Sequence, residues 1–230
     1  ASTEEWETIY VAEEVSVAFR VSLAHTQSPH AISAWLRMGE LQAKDLKIEA
    51  FDKRKFKDAL SEIKELAFQM PVGFAQQLQH ICAQCGVALV YTPKLPKAPI
   101  SGATRWFHNK PIIQLSGRFK TNDHFWFTFF HEAAHIILHG KKDVFLENVA
   151  GTTIDLEKEE EANAFAAKQL LTDGQLREIR QAAPLTVELV QAFAYKFRTP
   201  PGVIIGRLQH LGLIPYSTGN EFREKIDLFE

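Results

Sequence analysis

The sequence predicts an α+β fold that is mainly helical and contains a small three-stranded sheet. Apolar residues recur with the helical period of 3.6 over long stretches towards both ends of the chain. Short runs rich in β-branched and aromatic residues stand between positions 86 and 116 and indicate strands. A strongly apolar helical stretch follows them, so we expect the sheet to pack on that helix.

The first third of the chain is predicted to be helical, and residues 1–70 are assigned to an N-terminal helical segment. A Ser-Pro pair at 28–29 provides an N-cap and a first helical residue for HAISAWLRMGELQA. RKFKDALSEIKELAFQM repeats apolar residues at helical spacing, and Pro71 ends this second helix.

A second predicted unit, residues 71–180, contains the strands. GFAQQLQHICAQC indicates a helix, GVALVYT a strand, and ISGATRWF and KPIIQLS the two arms of a hairpin. Cys82 and Cys85 form a CxxC pair at the end of that helix, whereas redox pairs use the positive helix start. Because the chain has no further cysteine to complete a zinc site, we expect two buried, reduced thiols.

HFWFTFFHEAAHIILHG, at 124–140, is predicted to be a buried helix with one polar seam. Thr121, Asn122 or Asp123 can serve as its N-cap, and Gly140 as its stop. At about 100° per residue, the polar residues fall within an arc of roughly 100°, and every position outside it is apolar. The seam comprises His124, Thr128, His131, Glu132, His135 and His139. Such a row on a buried helix costs free energy unless something satisfies it.

The seam contains HEAAH, an H-E-x-x-H pattern. Its spacing places His131 and His135 one turn apart on one helix face, close enough to share one metal ion. Glu132 lies one step round the helix, where it can face a water on that metal without binding the metal. We therefore predict that the two histidines bind Zn²⁺ and that Glu132 is the catalytic base.

A third ligand is expected from the helix predicted in LEKEEEANAFAAKQLL. Glu159 lies on the small, apolar face that this helix turns towards the protein, and Glu161 is the alternative. The remaining acidic residues suit a solvated helix start. Asn163 follows Glu159 by one turn and is placed to hydrogen-bond a ligating imidazole.

HEAAHIILH followed by EEEANAFAAKQLL resembles the ImmA/IrrE family of metallopeptidases, in which H-E-x-x-H and a further His precede E-x-E-A-N/D-x-F-A. AWLRMGE at 34–40 and GLIPYSTGNEFREKIDL at 212–228 resemble flanking segments of longer members that join a helix-turn-helix regulator to the peptidase. The resemblance implies a zincin-like peptidase core with Glu159 as the third zinc ligand. It also implies the C-terminal part of such a regulator, and a chain that begins at Ala1 rather than Met fits a missing N-terminal part.

The same resemblance implies an intracellular zinc endopeptidase that cleaves a repressor or antitoxin-like DNA-binding protein in a regulatory or stress response. Metallopeptidases of this general kind hold the substrate as an added strand on a sheet edge, and one of the three predicted strands is the candidate. In the expected mechanism the metal and Glu132 activate a water for attack on the scissile carbonyl. The open candidates for the oxyanion donor are His124, His139, Tyr195 and Arg105. For His124 and His139, a position behind the metal ligands or in the core is an equal alternative.

The alternative function is a non-proteolytic sensor or regulator module of a transcription factor or toxin–antitoxin system. In that case the metal site would be structural or sensory. A structural zinc site usually recruits cysteine and closes all four coordination positions, so the motifs favour the enzyme.

Residues 181–230 are predicted to form a helical, helix-turn-helix-like subdomain. Thr186 caps VELVQAFAYKF, RTPPG forms a turn, and VIIGRLQHLG is a second helix closed by Gly212. The basic residues of these two helices and of the turn between them are Lys196, Arg198 and Arg207. Because they are so few, we expect this part to buttress the peptidase or hold a partner rather than to bind nucleic acid.

The composition is that of an ordinary globular protein, with 46% hydrophobic and 23% charged residues and a net charge of −2. This charge gives no electrostatic case for nucleic acid as a partner. No apolar run approaches the roughly 20 residues that span a membrane, and no signal peptide is visible. We therefore expect a cytoplasmic protein without a membrane partner.

Overall fold

The computed structural model describes residues 29–107, 109–118, 121–139, 145–146, 155–182 and 184–229. Within these ranges the chain forms eight α-helices, four strands and one 3₁₀ turn. Three features of the sequence prediction lie outside the described residues: the helical segment before position 29, the N-cap Ser28 and the stop Gly140.

Three helices precede the sheet, as predicted. Helix α1 spans Pro29–Lys44, α2 spans Lys53–Gln69 and α3 spans Phe74–Gln84. Asp52 begins α2, because its carboxylate accepts a hydrogen bond from the Lys55 amide at 3.0 Å. The buried face of α2 is the predicted one and comprises Phe56, Leu60, Ile63, Leu66 and Ala67. Cys82 and Cys85 at the end of α3 are buried and free, as predicted.

The sheet contains the three predicted strands and a short fourth one. Strands β1 (Ala88–Thr92), β2 (Gly102–Phe107), β3 (Lys110–Ser116) and β4 (Phe145–Leu146) lie in the order β1-β3-β2-β4. Strand β3 pairs in parallel with β1 and antiparallel with β2, and β2 pairs antiparallel with β4. Because β3 and β2 each have a strand on both sides, β1 and β4 are the edges of the described sheet.

Helix α4, Asn122–Leu138, packs against the sheet as expected. Thr121 is its N-cap, which agrees with one of the three predicted caps. Helix α5, Leu156–Leu170, packs along α4 and begins at Asp155, whose carboxylate accepts from the Lys158 amide at 3.3 Å. This pairing of α4 with α5 is the framework that positions the predicted ligands.

Three further helices complete the fold: α6 (Asp173–Gln181), α7 (Val187–Phe197) and α8 (Pro201–His210). The predicted helices α7 and α8 are present, with Thr186 capping α7. Helix α6 was not predicted, although its capping box of Thr172 and Gln175 is a visible start signal. None of the helices in the described ranges is both long and apolar enough to cross a membrane.

The largest hydrophobic cluster lies under the sheet and joins distant parts of the chain. It contains Phe56 of α2, Phe129 and Phe130 of α4, Val203 of α8 and Ile226 near the C-terminus. Helix α1 packs on β1 and β3. The division into units 1–70, 71–180 and 181–230 stays a prediction.

Candidate metal centre

Helix α4 carries His131, Glu132 and His135 into the protein interior. The exposed fraction is 2% for His131, 1% for His135 and 0% for Glu132. The helix is buried on nearly all sides because its residues outside the polar seam and its first turn are aromatic or aliphatic, as the sequence indicated. Except for His124, which is exposed, the polar seam therefore does not face solvent and has to be satisfied by the elements packed around α4.

Glu159 of α5 completes a cluster with the two histidines. The Nε2 atoms of His131 and His135 lie 3.0 Å apart. The Glu159 carboxylate lies 3.2 Å from Nε2 of His131 and 3.6 Å from Nε2 of His135. Glu161, the alternative third ligand, contacts His139 instead at 3.0 Å. Of the two candidate glutamates, Glu159 is thus the one that joins the cluster.

The spacing of the three side chains fits a divalent cation such as Zn²⁺. Two ligands at tetrahedral positions around zinc are about 3.3 Å apart, given zinc–ligand distances near 2.0–2.1 Å. The three separations of 3.0, 3.2 and 3.6 Å bracket that value. Two imidazoles and one carboxylate are also the donor set of known catalytic zinc sites. Among the described residues, this trio is the group of His, Cys, Asp and Glu side chains that could hold a metal.

The nitrogens that face away from the cluster each have a hydrogen-bond partner. His131 Nδ1 lies 3.0 Å from Oδ1 of Asn163, the residue predicted for this contact. His135 Nδ1 lies 2.9 Å from Nδ1 of His139. Burial and, to a smaller extent, His131 and His139 lower the pKa of His135 from 6.5 to about 2. His135 is therefore neutral near pH 7, the protonation state that a metal ligand needs.

The side chain of Glu132 is buried between its own helix, α4, and the start of β2. A Cβ atom at Gly102 would lie 2.5 Å from Glu132 Oε1, so the carboxylate rests directly on the glycine backbone. The hydroxyl of Thr104 donates to the backbone carbonyl of Glu132 at 3.0 Å. Strand β2 therefore fixes the helix turn that carries the predicted base. A glycine inside a strand is a sequence signal for such a close approach, but it does not identify the partner.

Strand β4 brings one aromatic residue onto the cluster. The Phe145 ring stacks on the His135 ring with centroids 3.8 Å apart and planes at 15°, and it lies 5.3 Å from the His139 ring. No sequence signal pointed to Phe145. The consequence is that an edge of the described sheet runs beside the two buried histidines.

Two candidate oxyanion donors have their side-chain contacts elsewhere. The Arg105 guanidinium donates to the Leu36 carbonyl at 2.6 Å and to Gln114 at 2.9 Å, whereas Thr104 next to it points to α4. Tyr195 is exposed, and its ring packs on Phe68.

The remaining two candidates lie on or next to α4. His139 contacts His135, and His124 is exposed. The oxyanion donor stays an open prediction.

An H-E-x-x-H helix under a mixed sheet, with a glutamate from a second helix beside both histidines, defines the class of zincin-like metallopeptidases. The family model of Peptidase_M78, described as the IrrE N-terminal-like domain, matches residues 82–209. This match covers more than half of the chain, and the chain belongs to that family. A comparison with curated proteins found no match. The expected helix-turn-helix regulator segment stays a prediction.

Proposed function

We propose that this chain is a zinc-dependent endopeptidase and that its substrate is a small DNA-binding repressor or antitoxin-like protein. The observation that carries the proposal is the cluster of His131, His135 and Glu159, with Glu132 on the helix that carries both histidines. The family match supports peptidase chemistry. The repressor as substrate, and a role in a regulatory or stress response in the cytoplasm, follow from the ImmA/IrrE resemblance.

In the proposed mechanism His131, His135 and Glu159 would hold the cation. Its chemistry, when bound, would be that of a Lewis acid towards the scissile carbonyl and the attacking water. Glu132 removes a proton from the attacking water and later delivers it to the nitrogen of the leaving amine. Its burial, together with the backbone of Gly102 beside Oε1, restricts the carboxylate to one position. This restraint holds the base ready for the proton transfer.

Strand β4 is the proposed binding edge for the substrate. It pairs with β2 through Ala103 and Thr104, and its other side faces no strand among the described residues. A peptide that adds to this edge would run past Phe145, whose ring stacks on His135. Main-chain pairing of this kind accepts an extended segment of a protein substrate with limited sequence preference.

The C-terminal helices favour a protein partner over nucleic acid. Of their three basic residues, Lys196 pairs with Glu178 and Arg198 pairs with Glu65. Both cations are thus used within the chain, which leaves little positive charge for a phosphate backbone. We propose that α7 and α8 support the peptidase or help to hold the substrate protein.

The deciding experiment compares the wild-type chain with Glu132→Gln. Both are incubated with repressors encoded beside its gene and with a mixed peptide library, and products are identified by mass spectrometry. We expect both proteins to bind one zinc ion. Glu132→Gln should cleave at least about 100-fold more slowly, because the general base is lost. A chelator should stop wild-type cleavage, and added zinc should restore it.

Glu157→Gln, an exposed change on α5, is the matched control and should cleave like the wild type. Cleavage that survives in Glu132→Gln would show that this residue is not the base. Loss of zinc from this variant would assign it a structural role instead. Tight binding of a repressor by the wild type without any cleavage would favour the non-proteolytic module.

A further inference from the structure

His139 joins the metal centre to the surface of the protein. It follows the last residue of α4, and only 9% of it is exposed. Its Nδ1 lies 2.9 Å from Nδ1 of His135, and its Nε2 lies 3.0 Å from Oε2 of Glu161. The side chains of His135, His139 and Glu161 therefore form a continuous chain of contacts from the cluster to a half-exposed carboxylate.

The direction of each hydrogen bond from His135 through His139 to Glu161 follows from the protonation of His135. When Nε2 of His135 binds a cation, that nitrogen carries no proton, so the neutral ring has its proton on Nδ1. His135 Nδ1–H then donates to His139, whose Nδ1 has to accept. The proton of the neutral His139 ring is consequently on Nε2, and it donates to the carboxylate of Glu161. One tautomer of each ring satisfies all three groups.

Other contacts restrict the two rings to this arrangement. The backbone amide of His139 donates to the His135 carbonyl at 3.1 Å, which places the two residues one turn apart. Phe145 stacks on the His135 ring and lies against the His139 ring. Stacking on Phe145 therefore fixes the plane of the His135 ring, and the contact with His139 fixes the direction in which its Nδ1 points.

The two ligating histidines differ in how they are held. Nδ1 of His131 contacts a neutral amide oxygen, Oδ1 of Asn163 on α5, at 3.0 Å. His135 has His139, and His139 in turn has Glu161, also from α5. A carboxylate at the end of such a chain makes the ligating nitrogen a better donor and orients the ring.

We propose that His139 and Glu161 are positioning residues that hold His135 in its metal-binding tautomer and orientation. The inference rests on the metal site of the proposed function and extends it to two residues that do not themselves contact the cation. His139 acts directly on the ligand. Glu161 acts through His139, and it is half-exposed, so its contribution is the smaller one.

The test measures zinc affinity by competition with a chelator of known affinity, using the full chain. His139→Leu removes both hydrogen bonds and should weaken zinc binding by about 10–100-fold. His139→Asn keeps an acceptor near the position of Nδ1 and should recover part of that loss. Glu161→Gln should cause a smaller loss. Glu160→Gln, an exposed neighbour on the same helix, is the matched control and should bind as the wild type does.

Two additional readouts separate positioning from general stability. The visible spectrum of the cobalt-substituted protein should change in His139→Leu, because the ligand field depends on the orientation of His135. The thermal midpoint of the metal-free protein should stay near that of the wild type. If His139→Leu does lower this midpoint, its zinc affinity is compared with that of His139→Asn. A positioning role requires the Asn variant to bind zinc more tightly than the Leu variant.

Equal zinc affinity of His139→Leu and the wild type, with one zinc bound to each, overturns the positioning role and leaves the proposed peptidase intact. Equal affinities of the Leu and Asn variants overturn it too. A wild-type chain that binds no divalent cation overturns the proposed function together with this inference.

Discussion

The position of the Glu132 carboxylate depends on Gly102, a residue without a side chain. A Cβ atom at Gly102 would lie 2.5 Å from Glu132 Oε1, 2.9 Å from its Cγ and 2.8 Å from a methyl carbon of Thr128. These separations are well below van der Waals contact. The glycine is therefore required for space, and the position of the proposed base depends on it.

Gly102→Ala should displace the Glu132 carboxylate and leave the three cluster side chains in place. We expect cleavage to fall by about 100-fold, since a misplacement of about 1 Å can cost that much. Zinc content, measured by elemental analysis, should stay at the wild-type level. Gly174→Ala is the control, because an added Cβ there meets no atom closer than 3.9 Å. Full activity of Gly102→Ala would show that Glu132 has another stable position.

The sequence predicted which side chains form the candidate metal centre, but only part of its surroundings. His131, His135 and Glu132 follow from one pattern, since a spacing of four residues places two rings together on any helix. Glu159 and Asn163 follow from one face of a second helix. Glu161, the alternative predicted ligand, lies about 200° from Glu159 on a helical wheel, so the wheel does not predict that both residues reach the same site. Its contact with His139 depends on how α5 is placed against α4, which the sequence pattern does not contain.

At the scale of secondary-structure elements, α1 is joined to the sheet by a buried polar network. The Gln114 amide of β3 donates to the Trp35 carbonyl at 2.7 Å and to the Thr92 hydroxyl at 2.9 Å. Its carbonyl oxygen accepts from Arg105 at 2.9 Å. A Cβ atom at Gly39 would lie only 2.1 Å from that oxygen. Helix α1 can therefore approach β3 this closely only with glycine at position 39.

Gly39→Ala should destabilise the protein although alanine is the better helix former. The gain in helix propensity is about 1 kcal/mol. Displacing Gln114 leaves several buried polar groups without partners, at about 1–3 kcal/mol each. We expect a net loss of about 2–4 kcal/mol in the free energy of unfolding, measured with urea. Gly174→Ala should be neutral or slightly stabilising. A Gly39→Ala protein as stable as the wild type would mean that Gln114 moves without cost.

Element prediction succeeded where the pattern was regular and failed where it was short. The strands β1 to β3 and most helices follow from periodicity and clear breakers such as Pro71. Strand β4 has two residues, too few for any alternation to show. Helix α6 has a capping box, but Gly174 lies in its first turn and weakens the helical signal.

At the scale of the whole molecule, the hydrophobic core extends beyond the part that the family model matches. The match covers residues 82–209, whereas Phe56, Ile63 and Ile226 lie outside it and are buried in the same cluster. The segment 219–227, which we call the C-terminal clasp, also reaches the start of α4, the helix that carries the candidate metal ligands. Within it, the backbone carbonyl of Glu224 accepts a hydrogen bond from the backbone N–H of Asn122 at 2.9 Å.

The clasp has one ion pair to α4. Arg223 Nε lies 3.0 Å from Oδ2 of Asp123, whose side chain is 7% exposed. The same guanidinium donates to Gln209 at 2.5 Å. Without Arg223, the buried Asp123 carboxylate would lose the guanidinium group beside it. A buried charge without a partner lowers the stability of the fold. The C-terminal segment thus contributes to holding the first turn of the helix that carries the metal centre.

Arg223→Met should lower the free energy of unfolding by about 1–3 kcal/mol, because it removes the cation beside Asp123 and keeps most of the apolar side chain. The measurement is urea unfolding of the metal-free protein. Arg54→Met, at a site 93% exposed, is the matched control and should change stability little. In a double-mutant cycle, adding Asp123→Asn should make the loss of Arg223 much less costly, because the charge that needs the cation is then gone. Additive effects of the two substitutions, or a stable Arg223→Met protein, would show that the clasp is held by Ile226 and backbone contacts instead of by this ion pair.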